Sequence, residues 1–125
     1  MARNAPSSKD LVIGKEVLAA DGIVLLRLDG SLSSYTFDQL ENTIQEAFQS
    51  GMHKIIVDAG GIDYVSSAGA GVLMNAFLQA QDHHGKIIVM NLSVSMRETF
   101  NILNLTSVIP LAANREEALA LAKGA

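Results

Sequence analysis

Two short runs, Ile55-Ile56-Val57 and Ile87-Ile88-Val89, constrain this chain more than any other feature. Apolar, β-branched residues on consecutive positions leave no side of a strand for water, so each run must be covered on both faces. Neither is long enough to read as a buried helix, and a helical pattern lies between them. A strand, helix, strand series of this kind calls for right-handed crossovers and parallel neighbours at the centre of a sheet.

The rest of the chain supplies the partners. Leu11 to Ala19 alternates weakly, Asp21-Gly22 gives a hairpin signal, and Ile23 to Leu28 follows as a second strand. Tyr35 to Ser50 has a helical period, with Phe37, Leu40, Ile44, Ala47 and Phe48 on one face. The strand at Lys54 to Val57 is expected to end at Asp58, with a turn at Gly60-Gly61 and a loop as far as Ser67. A helix is predicted from about Ala68 to His84, a strand over Lys86 to Leu92, and a short helix marked by Val94, Met96, Phe100 and Leu103. Thr106 to Ile109 reads as a brief strand closed by Pro110, and a last helix opens at Asn114, burying Ala118, Leu119 and Ala122. The predicted order is β-β-α-β-α-β-α-β-α: one α/β domain over residues 11–125, with a four- to five-stranded mixed sheet and about four helices. Residues 1–10, polar and containing Pro6, read as a flexible lead-in.

Composition excludes several classes of function. The 125 residues include no cysteine, which removes disulfides, thiol catalysis and cysteine metal sites together. Net charge is -4, and the 9 basic residues are scattered, without interleaved aromatics, which speaks against a nucleic-acid surface. The N-terminal MARNAPSSKD has no apolar core of a signal peptide, and no run approaches the roughly 18 apolar residues of a membrane span. A cytoplasmic protein without membrane insertion is expected.

Chemistry-bearing patterns are few. His53, His83 and His84 look dispersed, with no carboxylate at a ligand spacing, so no metal is expected. The nucleophile elbow Gly-x-Ser-x-Gly is absent, because neither Ser66 nor Ser67 has a glycine two positions before it. Neither the Walker pattern nor Gly-x-Gly-x-x-Gly occurs, and no cofactor is expected. What remains is Ser66-Ser67 at a helix start beside small residues, where a serine hydroxyl either caps the helix or stands ready for modification. That describes a docking or modification surface rather than an enzyme.

The segment Ser66-Ser67-Ala68-Gly69-Ala70-Gly71-Val72-Leu73 resembles the hallmark of the STAS domain family, the anti-sigma factor antagonists and their relatives, in which Asp-Ser-Ser-Gly-Leu-Gly-Val-Leu or a serine-rich variant opens the second helix. The hairpin, the Gly30-Ser31-Leu32 turn, the strand ending at Asp58 and the KIIVMNL strand fall in the family's order. Carried over residue by residue, the resemblance puts the phosphorylatable serine at Ser67, with Ser66 as the lesser candidate where the family usually has aspartate. It implies an anti-sigma factor antagonist that binds a serine kinase of the GHKL type when unphosphorylated, is released on phosphorylation, and is reset by a PP2C-type phosphatase. The partner-binding residues it implies are Ser31, Ser33, Ser34, Ser66, Ser67, Ala68, Gly69 and Ala70, on a monomer or weak homodimer. In Gly30-Ser31-Leu32-Ser33, where many antagonists read Gly-Glu-Leu-Asp, hydroxyls replace acids. A constitutive interaction subunit of a stressosome, lipid-transport or transporter complex is the alternative within the same family.

Overall fold

A computed structural model describes residues 10–124, so the expected lead-in lies outside the described residues apart from Asp10. Strand β1 (Leu11–Leu18) and strand β2 (Ile23–Leu32) form an antiparallel hairpin through a 3-10 turn at Ala19–Asp21. Gly22 takes φ +68 there, a left-handed geometry that glycine adopts without steric cost. Helix α1 (Phe37–Gln49), strand β3 (Lys54–Val65), helix α2 (Ser67–Asp82), strand β4 (Lys86–Met90), helix α3 (Val94–Ile102), strand β5 (Leu111–Ala112) and helix α4 (Arg115–Lys123) follow. The sheet has 5 strands in the order β1-β2-β3-β4-β5, with every pair after the hairpin parallel. The predicted element order and mixed sheet are those observed.

The connections through α1, α2 and α3 all step the same way across the sheet. Right-handed crossovers therefore place those three helices on one face, while α4, after the last strand, is free to cover the other. Packing follows this logic. Leu26, Val57 and Val89 join Leu40, Ile44, Leu73, Ala76 and Phe100 in one core. Ile23, Leu25, Ile56 and Ile88, which point the opposite way, join Ala118 and Ala122 of α4 in a second. Consecutive apolar residues in β3 and β4 thus feed two cores at once, as their sequence required.

Two predicted boundaries are corrected. Asp58 and Gly60-Gly61 do not end β3, which runs on to Val65. Against β2 it carries an extra residue between Asp58 and Gly61 and another between Ile62 and Tyr64, so the strand bulges rather than turns. Gly61 is needed for contact rather than for turning, since a Cβ there would stand 1.9 Å from Asp29 Oδ1 and 2.9 Å from the Leu28 carbonyl. The second correction is the last strand. Thr106 to Ile109 is a turn, with Val108 and Ile109 amides both donating to the Leu105 carbonyl, and β5 begins only after Pro110. Proline has no N–H for a ladder, but its carbonyl still accepts from Val89 N at 3.0 Å.

Candidate functional site

The parallel strands all end at one edge of the molecule, so the loop after β2, the start of α2 after β3 and the turn before α3 come together there. Such carboxyl ends are where open α/β sheets place their binding surfaces. Ser66 and Ser67 divide the work of that edge. Ser66 sits in extended backbone before α2, and its Oγ accepts from Gly69 N at 3.1 Å. Its own amide donates to the Leu32 carbonyl at 2.8 Å, tying the helix start to the end of β2. Ser67 is the first helical residue and exposed; its hydroxyl has no hydrogen-bond partner among the described residues.

The small residues that follow are there for approach. A Cβ on Gly69 would meet Leu32 Cγ at 2.6 Å and the Leu32 carbonyl at 2.7 Å, so only glycine lets α2 lie this close to β2. Ala70 is buried behind it, and Ala68 is half-exposed.

The loop after β2 is internally braced. Ser31 is buried and its Oγ donates to Asp63 Oδ1 at 2.7 Å. Ser33, also buried, donates its amide to Thr36 Oγ1 at 2.9 Å, and its own Oγ accepts from Tyr35 N at 3.1 Å. Thr36 Oγ1 in turn donates to the Ser31 carbonyl at 2.7 Å. Of the residues expected to meet a partner, Ser31, Ser33, Gly69 and Ala70 therefore have their side chains or Cα turned inward, and Ser34, Ser67 and part of Ala68 face out.

Side chains not singled out in the sequence complete the edge. Tyr35 is 78% exposed, in the loop beside Ser34, and Tyr64, near the end of β3, and Val94, at the start of α3, are also exposed. The available signal was an aromatic residue in the polar run Ser33-Ser34-Tyr35-Thr36; the helix expected from Tyr35 begins only at Phe37, which leaves Tyr35 in the loop. Asp63 supplies a carboxylate beside Ser31, although the loop itself has none.

No group of three or more metal-ligating side chains forms among the described residues. The histidines, however, are not dispersed as expected. His53 and His83 stack with ring centroids 4.2 Å apart and planes 3° from parallel, because the α1–β3 loop and the end of α2 meet at the opposite edge.

The STAS domain profile matches residues 15–118, nearly all of the sheet and its helices. The chain belongs to the STAS domain family. Among relatives, it is 32% identical over 105 residues to BtrV of Bordetella bronchiseptica, a protein bearing the name of an anti-sigma factor antagonist; the match covers 84% of this chain and 90% of BtrV. The anti-sigma factor antagonist SpoIIAA in its unphosphorylated form superposes with a TM-score of 0.72 at 23% identity, over 91% of this chain and all of the other. The Bacillus SpoIIAA in its phosphorylated form gives 0.68 at 25% identity, over 88% of this chain and 98% of the other. This STAS domain is thus of the anti-sigma factor antagonist kind, a group of regulatory proteins rather than enzymes.

Proposed function

We propose that this STAS domain acts in the cytoplasm as an anti-sigma factor antagonist switched by phosphorylation of Ser67. Unmodified, it binds an anti-sigma factor that is also a serine kinase of the GHKL type, so that the sigma factor is released for transcription. Phosphorylation by that kinase ends the complex, and a PP2C-type phosphatase restores it. The observation that carries the reading is the division of labour between the two serines: Ser66 holds the helix cap, which leaves the Ser67 hydroxyl exposed and uncommitted. That SpoIIAA is known in both an unphosphorylated and a phosphorylated form supports the same reading.

Ser34, Ser66, Ser67 and Ala68 would touch the partner, together with Tyr35, while Ser31, Ser33, Gly69 and Ala70 shape the surface from beneath. A phosphate on Ser67 adds roughly -1.5 to -2 charge, tolerated by the amides of the helix's first turn but poorly solvated and repelled in a packed interface. The test is binding of the purified protein to its anti-sigma factor. Ser67→Asp is expected to abolish the complex with the fold intact, and Ser67→Ala to bind and remain unphosphorylated by mass spectrometry after incubation with kinase and ATP. Undiminished binding by Ser67→Asp would sink the switch. The inward Ser31 and Ser33 hydroxyls favour one second reading, a constitutive STAS subunit of a larger complex, which predicts a stable complex and no phosphate on Ser67.

A further inference from the structure

Over β2 and β3, the second core covers its face of the sheet only where the strands begin, at Ile23, Leu25 and Ile56. Toward the edge that carries Ser67, the same face is bare. The register sets its residues in rows across three strands: Gly14, Arg27 and Asp58, then Val12, Asp29 and Gly61, then Ser31 and Tyr64. Arg27 and Asp29 follow Leu25 at two-residue steps and so point to its side of the sheet. On β3 the two bulges keep Gly61 and Tyr64 on that side while Ile62 and Val65 return to the first core. Val12, Arg27, Asp29, Gly61 and Tyr64 are all exposed, the valine and the tyrosine at 52% each. Parallel neighbours inside a sheet are ordinarily covered on both faces, and β2 and β3 here are not. We propose that this bare area is the docking site of a basic amphipathic helix of a partner protein, laid beside α4.

Charge sets the sign of the partner. Arg27 is the one cation among these residues, and it already faces Asp58 at 4.0 Å. Asp58 Oδ1 also accepts from Gly60 N and from Asn91 Nδ2, each at 3.0 Å, so this carboxylate is committed. The Asp29 carboxylate has neither a hydrogen bond nor an ion pair among the described residues. Asp63, the extra residue of the second bulge, is held at the rim by Ser31 Oγ at 2.7 Å, a neutral donor that leaves its charge standing. Two carboxylates therefore lack a cation, and the Arg115–Glu16 pair that borders the area is neutral in sum. Lysine or arginine on a partner supplies what is missing, whereas an acidic partner is repelled.

Shape sets its form. Arg27 Nη1 lies over Gly14, 3.4 Å from where a Cβ would stand, and Asp29 Oδ1 lies over Gly61, where a Cβ would come within 1.9 Å. Side chains lying flat on glycines make a floor that a rod can approach closely. At strand spacings of about 4.8 Å and about 3.3 Å per residue, the three rows span roughly 10 by 13 Å, the width of one helix over about two of its turns. Val12 and Tyr64, on the outer two of the three strands, offer apolar contact, and the Tyr64 ring offers its face to a cation. A helix is also what covers parallel strands on the first face of this sheet.

The test is an NMR titration of the ¹⁵N-labelled protein with a synthetic amphipathic helix of leucine, alanine and lysine, and with the same peptide carrying glutamate for lysine. The lysine peptide is expected to give saturable shifts centred on residues 12–14, 27–31 and 58–64, and the glutamate peptide none. Asp29→Lys and Tyr64→Ala, each retaining a dispersed spectrum, are expected to weaken binding severalfold. Asp82→Lys, at the end of a helix on the other face, is expected to leave it unchanged. The proposal is overturned if both peptides bind alike, if the shifts scatter over α1, α2 and α3, or if Asp82→Lys matters as much as Asp29→Lys. It is overturned equally if the amides of residues 27–29 and 58–61 shift on dilution of the protein alone, which makes a second copy the occupant, or on removal of residues 1–9, which makes that segment the occupant.

Discussion

At Ser66 and Ser67, adjacent and chemically identical side chains differ only in which of them lies inside the helix. The hydroxyl of the residue before the first helical position can reach the amide three residues on, and the next one cannot, so capping falls to Ser66 and leaves Ser67 outward. Ser66→Ala should therefore lower stability by about 1 kcal/mol. Ser67→Ala should change it by less than about 0.5 kcal/mol, as expected of an exposed position without a partner. Urea denaturation followed by circular dichroism measures both, and the reverse ranking would show that the caps are exchanged. The sequence showed that a serine pair opened a helix. It could not show which serine capped it, because a shift of one residue in the helix start exchanges the roles and boundaries are the least legible feature of a pattern.

Where strand and helix meet, the glycines of α2 separate into a contact and a convenience. Gly69→Ala would drive a methyl against Leu32 Cγ and, less avoidably, against its backbone carbonyl. We expect a loss of about 1–3 kcal/mol as α2 is levered off β2, with the Ser66 amide to Leu32 bond weakened and anti-sigma factor binding reduced. Gly71→Ala meets nothing within 4 Å and sits exposed on the same helix. It should instead stabilise by up to about 1 kcal/mol, because alanine loses less freedom on forming a helix. Thermal unfolding of the pair checks the contrast, and two changes of the same sign would contradict it. The same scale shows what periodicity can reveal. Helices and doubly buried strands were legible because their apolar residues repeat. The far half of β3 was not, since each bulge resets the alternation and Gly60-Gly61 imitates a turn. Nor was β5, where Ile109 is buried like a strand residue yet belongs to a turn, and only Leu111–Ala112 pair with β4.

Across the whole molecule the two sheet faces are covered unequally, three helices on one and α4 alone on the other. The alanines Ala118 and Ala122 bring α4 close to Ile56 and Ile88 but bury little side chain of their own. Polar anchors therefore hold its ends. Lys86 Nζ donates to the carbonyls of Leu121 and Gly124 at 2.7 and 2.6 Å, where the helix dipole favours a cation. Arg115, at the other end, donates through Nη1 and Nη2 to the Glu16 carboxylate of β1, at 3.0 and 2.8 Å, the fork geometry that suits a carboxylate. That bond, followed by the charge of Arg115, holds the Glu16 carboxyl below its ordinary 4.5. A carboxyl with a lower pKa folded than unfolded stabilises the fold above its unfolded value, and the contribution disappears as pH falls through the folded one. Denaturation midpoints of the wild type and of Glu16→Gln should accordingly be separated at neutral pH and converge below about pH 4.5, toward the lowered folded value. Since both side chains are nearly half exposed, the separation should be small and shrink further in high salt. No gap at neutral pH would mean that α4 is held to the sheet by packing alone; a gap that persists through the acid range, or widens there, would mean that Glu16 acts through something other than its ionised carboxylate.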